Sequence, residues 1–438
     1  MKYISNLIFF LILLFLPTQL GKHFWPDFSM VSGIRVDYLS PTLYLTDILV
    51  LLLFVIWISE KFLIFNSQFK IKSKFLKFKH LNIINSFQIS RFAARRANFK
   101  FQISLFVAFL AIGIIFSKSP ALGFYGLLKI LEFGFFGFYT ANYLRGASFY
   151  FVIGIIFESL LGIAHYLNQG SIGGILYFFG EREFNQNTPG IANASINGEL
   201  ILRPYGTFPH PNVLAGYLII AMAIMSEKFN PSTKLRTGVK SSKSEKAIYG
   251  FSILLGTVAL FLTMSRIAIL LWIAFLFVKI YSMFKYKSIS LLVLITFLAI
   301  ILFSPLSQRF ININPMDESV QLRKELIQTS LVMIEHNPLF GVGLNNFLVN
   351  TTSYLQPVHN IYLLIASEIG LVGFAFFVWF IMTTYIRVKR QKTKDKRQKL
   401  IILSMVLVLG MFDHYFLTLQ QGQLLFSFIL GLCWQGKK

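Results

Sequence analysis

The chain has one cysteine, Cys433, in 438 residues. An intramolecular disulfide framework and a cysteine-cluster metal site are therefore both excluded. Charged residues are scarce as well, at 13%, where soluble domains average about 25%. That is too little polar side chain to cover a water-facing surface, so an ordinary soluble enzyme is a poor fit. Acid is scarcest of all: 18 Asp and Glu stand against 41 Lys and Arg, a net charge of +23. Several enzyme signatures are missing from the sequence. There is no G-x-x-x-x-G-K-[ST] loop to suggest ATP hydrolysis, no H-E-x-x-H, and no D-x-D to hold a metal under a nucleotide-sugar diphosphate. The run Gly341-Val342-Gly343-Leu344-Asn345-Asn346 follows a helical pattern rather than a strand. It reads as a tight turn leading a loop back to the membrane, not as a dinucleotide fingerprint.

What is abundant is apolar: 55% of the residues are hydrophobic and 16% aromatic. Twelve apolar segments stand at about 4–20, 43–59, 101–117, 121–141, 147–167, 211–226, 247–264, 267–284, 288–306, 360–386, 400–412 and 416–435. Most approach the roughly 20 residues that cross a hydrocarbon core. The first has Lys2 before its apolar run, but no small-x-small cleavage site follows at 17–22, so we read it as a retained first span. With the N-terminus inside and the sides alternating, 31 Lys and Arg fall in inner segments and 9 in outer ones, with Lys129 inside a span. This is the positive-inside bias. It predicts an all-α polytopic protein of about twelve transmembrane helices, one membrane domain over 1–438, in the cytoplasmic membrane with both termini cytoplasmic. The basic excess is then an orientation signal, and no nucleic-acid partner is implied. The inner loop 61–100 carries Lys70, Lys72, Lys74, Lys77, Lys79, Arg95 and Arg96. It reads either as a solvated topology determinant or as a segment lying near anionic headgroups.

Two outer loops are long, 168–209 and 307–358, and long loops in compact proteins are usually functional or disordered. The second holds an amphipathic stretch, 319–335, with Leu322, Leu326, Ile327, Met333 and Ile334 at roughly helical spacing. Asp317 or Ser319 can cap it, and Asn337-Pro338 ends it. Chemistry is therefore to be sought on the outer face.

The polar residues at the outer ends of the spans each admit a bland and a functional reading. Arg266 sits between two apolar segments, where it either snorkels to the interface or meets an anion. Arg203 is a loop ion-pair residue or an anion ligand, and Arg323 a solvated-face charge or a third guanidinium. Together the three suit a diphosphate, because a guanidinium binds phosphate oxygens in pairs. His359 opens a span at the interface and is the natural general base, or else a hydrogen-bonded histidine at a helix start. His210, between two prolines, reads as a turn residue. Asn212 and Asn360 are supporting candidates, and Asp413-His414 is a carboxylate–imidazole unit or a polar pair at a helix break. Lys129 and Glu132 are three residues apart and should pair on one helix face. Glu158 is an unpaired acid within a span, with no role assigned.

Four motifs carry a resemblance: R-P-Y-G-T-F-P-H-P-N at 203–212, T-M-S-R at 263–266, R-x(13)-N-P-L-F-G-V-G-L-N-N-F at 323–347, and H-N-I-Y-L-L-I-A-S-E-I-G-L-V-G at 359–373. In order and spacing the chain resembles the O-antigen ligase/polymerase superfamily over about 100–435. The resemblance implies a GT-C-like membrane fold and a metal- and cofactor-independent inverting glycosyltransferase acting outside the cytoplasmic membrane. Its partners would be an undecaprenyl-diphosphate-linked glycan as donor and a sugar or lipid hydroxyl as acceptor. By motif, Arg266 and Arg323 resemble the arginines that hold the donor diphosphate, and His359 the histidine that activates the acceptor hydroxyl. Arg203 matches R-x-x-G-T-F and would aid donor binding or order its loop. No extra acceptor-binding domain is visible, so ligase and polymerase are not separated.

Two other classes share parts of the pattern. Twelve spans with both termini inside is also the plan of many secondary transporters. The halves 1–227 and 228–438, however, show no likeness, and the polar residues gather at the outer edge. A non-catalytic partner of a flippase or wall-synthesis complex is the third reading.

Overall fold

The computed structural model describes residues 2–74, 86–143, 148–226, 242–283, 318–351, 354–393 and 395–436, with isolated positions between 288 and 307. The apolar segment at 288–306 and the candidate cap Asp317 lie for the most part or wholly outside the described residues.

The protein is mostly helical. In chain order the long helices are α1 (Lys2–Phe15), α2 (Leu45–Lys74), α3 (Ser86–Ile115), α4 (Pro120–Tyr143), α5 (Ser148–Asn168), α6 (Pro211–Met225), α7 (Lys243–Leu262) and α8 (Arg266–Met283). They continue with α9 (Glu318–His336), α10 (Ile361–Lys389), α11 (Lys396–Leu409), the single turn α12 (Tyr415–Thr418) and α13 (Gln420–Trp434). Among the described residues a helix therefore stands at each of the other eleven apolar segments of the sequence. Among the described residues four are long and apolar enough to cross a membrane: Pro120–Tyr143, Phe149–Asn168, Lys243–Leu262 and Ile361–Lys389. Large apolar side chains face outward along them, with Leu131, Leu160 and Leu254 at least half exposed. Such a surface is stable against lipid and not against water.

The middle of the bundle is α6, on which all but Asn212 and Ile224 are buried. A helix apolar on every side belongs inside, and α6 packs against α5, α7, α8 and α11. Gly216 lets it approach Tyr415, whose hydroxyl a Cβ at that position would strike.

Side-chain bonds tie one set of helix ends together. Thr207, just before α6, donates to the Pro17 carbonyl after α1. The Tyr125 hydroxyl on α4 bonds the Thr42 carbonyl before α2. Asn346 after α9 accepts from the Ser119 N–H at the start of α4, and Asn360 donates to the Met411 carbonyl beyond α11. At the opposite ends, Gln398 reaches the Ala223 carbonyl and Gln391 the Cys433 carbonyl. The first set carries the longer connections. Residues 16–44 form small hairpins, β1 (Gly21–His23) with β4 (Thr42–Tyr44) and β2 (Met30–Val31) with β3 (Ile34–Arg35). Residues 169–209 include a third, β5 (Asn193–Ile196) with β6 (Glu199–Leu202).

The amphipathic reading of 319–335 corresponds to α9, with Leu326, Ser330 and Met333 buried and Arg323, Lys324 and Glu325 exposed, although Ile327, expected on the apolar face, is exposed too. One difference from the sequence reading concerns α10, expected as a continuous span. It breaks at Ile369 and Gly370, where Gly370 has φ +68°. The break frees carbonyls that the loop after α9 then uses. Val342 N–H donates to Ser367, Gly343 N–H to Glu368, and Leu371 N–H to Pro338. The Glu368 carboxylate accepts the Asn345 and Phe347 amides at 3.0 and 3.3 Å. N-P-L-F-G-V-G-L-N-N-F is thus a loop stitched into a broken helix.

Candidate active site

The loop before α6 carries the first part of the site, and α5 holds it in place. Glu158 accepts the Thr207 N–H at 2.9 Å, and its other oxygen meets the Thr207 hydroxyl at 2.7 Å. The acid read from sequence as unpaired is therefore partnered by a loop. Gly206, at φ +59°, is needed because a Cβ there would collide with the carboxylate.

Arg203 is buried and held by its neighbours. Its Nε donates to the Thr263 carbonyl at 2.7 Å and one terminal nitrogen donates to Asn212 Oδ1 at 2.8 Å. The Thr263 carbonyl faces it at a turn where Met264 takes a left-handed conformation, φ +52°. Arg203 thereby locks R-P-Y-G-T-F onto T-M-S-R, which is a loop-ordering arrangement. Arg266 follows as the half-buried first residue of α8.

Asn212 passes the connection on by donating to Asp413 Oδ2 at 3.2 Å. The other oxygen of Asp413 accepts the His414 backbone N–H at 2.9 Å. The two residues stand together at the break between α11 and α12, joined by this backbone bond and by the charge of Asp413 acting on the His414 ring. The His414 ring turns to the Thr418 hydroxyl, 2.7 Å from Nδ1. His210 caps α6, its Nδ1 accepting the Asn212 N–H at 3.1 Å. Asn360 caps α10, accepting from Tyr362 and Leu363, so its polar atoms serve the helix end.

His359 lies against His414, ring centroids 5.0 Å apart and edge to face, and its Nδ1 is buried without a hydrogen bond in the described structure. Burial, with His414 and Arg323 adding positive charge, pushes His359 down to about 3. Burial and Arg203 do the same for His210, also to about 3. His414 is likewise lowered by burial. Burial opposes ionisation of Asp413, but His414, His359, His210 and Arg323 outweigh it and hold its carboxyl below the usual range. At neutral pH the cluster is therefore an ionised carboxylate among neutral imidazoles. A neutral imidazole is the form that accepts a proton.

Arg323 is exposed on α9, yet its charge bears on His210, His359, His414 and Asp413 together. No carboxylate lies within ion-pair distance of it among the described residues. Arg203, His210, Asn212, Arg323, His359, Asp413 and His414, distant in sequence, thus converge. Sequence reasoning missed Tyr38, whose ring meets His414 edge-on at 5.3 Å. It also missed Arg182, which donates to the Pro209 carbonyl at 2.8 Å. Neither stands in a periodic pattern or a motif. Among the described residues no group of His, Cys, Asp and Glu has the arrangement of a metal site.

A second polar cluster lies between α4, α2 and α13. Lys129 pairs with Glu132 at 3.2 Å, as the spacing predicts, and also with Asp47 at 2.5 Å. Gln420 accepts from Lys129 and donates to Thr46 and Asp47.

Residues 251–378 match the family described as O-antigen ligase. That stretch contains T-M-S-R, α9 with Arg323, the stitched loop and H-N-I-Y, whereas R-P-Y-G-T-F-P-H-P-N and Asp413-His414 lie outside it. No curated protein matches the chain. The match does not favour a secondary transporter, and it agrees with the resemblance carried by the motifs: this chain is an apolar, mostly helical membrane protein whose residues 251–378 are similar to the O-antigen ligase family.

Proposed function

We propose that the protein is an inverting glycosyltransferase of the outer leaflet of the cytoplasmic membrane. It moves a glycan from an undecaprenyl-diphosphate carrier to an acceptor hydroxyl, as ligase or polymerase, across about twelve spans with both termini cytoplasmic. The observation that carries the reading is the convergence of His359 and Arg323 in one cluster at the helix ends that bear the long loops. Under the charge bias of the sequence those ends are the outer ones.

The chemistry requires few groups. A lipid diphosphate is a good leaving group and needs no general acid. Arg323 and Arg266 stabilise the charge that grows on the departing diphosphate. His359, neutral at rest, takes the proton of the attacking hydroxyl as its oxygen bonds to the anomeric carbon. The bond to the carrier breaks on the opposite face, which gives inversion. Donor binding also prepares the base: a dianion against Arg323 offsets one of the positive charges that depress His359. Arg203, Asn212 and Glu158 hold the loop and the histidines in register.

The test is transfer from a diphosphate-linked glycan by purified protein in proteoliposomes. His359→Ala and Arg266→Ala should each abolish transfer while the protein remains inserted and monodisperse. Full activity in both variants overturns the proposal. Proton- or sodium-driven uptake without glycan transfer would restore the transporter reading.

A further inference from the structure

The sequence reading assembled three guanidiniums, Arg203, Arg266 and Arg323. The structure employs Arg203 differently, burying it against Thr263 and Asn212. Another arginine stands beside the cluster. Arg182 belongs to the 169–209 connection and is exposed, so it can meet a ligand from outside. Two contacts fix it on the wall that carries His210: one terminal nitrogen donates to the Pro209 carbonyl at 2.8 Å, and the guanidinium lies 5.9 Å from the centre of the Tyr205 ring. Tyr205 in turn faces the His210 ring at 6.3 Å.

A guanidinium has five N–H donors in one plane, and the Pro209 carbonyl engages one terminal nitrogen only. No carboxylate lies within ion-pair distance of Arg182 among the described residues. The nearby acids are otherwise placed. Glu181 is tied to the Ile172 and Gly173 amides, and Asp413 to Asn212 and the His414 amide. The charge of Arg182 reaches Tyr38, on which Asp37 and Asp413 also act, and Tyr38 touches His414. Arg323 thus acts on the histidines directly, while Arg182, exposed on a different connection, stands against Tyr205 and acts on Tyr38, whose rings meet His210 and His414.

We propose that Arg182 is a donor-binding residue that joins Arg323 and Arg266 in gripping the diphosphate of the lipid carrier. This rests on the transferase reading. It adds a residue from outside the family match, anchored in advance by Pro209 and Tyr205. An arginine fixed by two contacts loses less side-chain freedom on meeting a phosphate than a loose one does.

The test separates binding from chemistry. Binding of inorganic pyrophosphate and of undecaprenyl diphosphate to the purified full chain in nanodiscs is measured for wild type, Arg182→Gln, Arg182→Lys and Arg323→Gln. Glutamine can still donate to the Pro209 carbonyl, so Arg182→Gln removes the charge and leaves the anchor. Expected are a tenfold or greater loss of affinity for both probes in Arg182→Gln, a partial loss in Arg182→Lys, and an unchanged melting temperature. In transfer assays the donor KM should rise more than kcat falls. Wild-type affinity in Arg182→Gln overturns the proposal, and so does a loss confined to undecaprenyl diphosphate, which would place the contact on the lipid chain. Retained transfer in His359→Ala overturns the transferase reading instead, and the binding measurements do not depend on that outcome.

Discussion

Glu158 offers a sharp test of whether the loop before α6 is held by hydrogen bonds or by charge. The Thr207 hydroxyl lies 2.7 Å from one Glu158 oxygen and 2.8 Å from the Pro17 carbonyl, and the Thr207 N–H donates to the other Glu158 oxygen at 2.9 Å. A glutamine reproduces this pattern. Its carbonyl accepts the Thr207 N–H, its amide donates to the hydroxyl, and the hydroxyl donates to Pro17. Glu158→Gln should therefore lie within about 1 kcal/mol of wild type. Glu158→Ala removes one buried methylene, about 0.8 kcal/mol, and strands the Thr207 N–H, about 1–3 kcal/mol. The expected cost is about 2–4 kcal/mol from those two terms together. Thermal unfolding of the purified variants in detergent should show a clear fall for alanine and little change for glutamine, with transfer following the same order. Equal damage in both would refute the hydrogen-bond account and make the ionisable carboxyl itself essential, as expected if a transported ion bound there.

Three further outcomes follow from the geometry. Because His210 and His359 are pushed to about 3 from about 6.5 in an unfolded chain, the unfolded chain binds more protons between those values. Their contribution to stability is complete above about pH 6.5 and declines as the pH falls toward 3, and His210→Asn, which keeps the helix cap, should flatten the decline in pH-dependent melting. Gly370→Ala should cost about 1–3 kcal/mol from backbone strain alone, and more from the collision of its Cβ with the Leu339 carbonyl, read as a lowered melting temperature with loss of transfer. Lys129→Met should cost about 3–5 kcal/mol by leaving Asp47 and Glu132 buried without their cation, and the additional change Asp47→Asn should recover part of the folded yield in detergent.

Much of this was legible from spacing and composition. Apolar runs gave the helix positions, and the i,i+3 rule paired Lys129 with Glu132. The same rule is blind to Asp47 and Gln420, which reach Lys129 from other helices. Arg203 was legible as a residue that must be engaged, but not its partner. That partner is a backbone carbonyl, turned toward Arg203 by the left-handed Met264. Arg182 is anchored by a backbone carbonyl as well, and carbonyls leave no trace in side-chain patterns. Glu158 read as solitary because its partner Thr207 lies at the far end of the next connection, 49 residues away in sequence. Sequence periodicity reports contacts within an element, whereas this site is built almost wholly between elements.

The stitched loop shows why N-P-L-F-G-V-G-L-N-N-F carries its glycines. Arg323 stands on α9 and His359 just before α10, so their separation depends on how those helices dock. Ser330 on α9 donates to the Leu363 carbonyl, and beyond the helix end Val342, Gly343 and Leu371 complete the joint across the break in α10. Gly341, Gly343 and Gly370 all have positive φ; a Cβ on Gly341 would strike Glu368, one on Gly370 would strike Leu339, and one on Gly343 would strike Ser117 beyond α3. The glycines therefore do not bind a phosphate as the superficial dinucleotide likeness suggests. They let one loop enter a broken helix deeply enough to fix Arg323 on α9 relative to His359 just before α10. The proposed transfer, with leaving group and nucleophile on opposite faces of one sugar, would depend on that fixed separation.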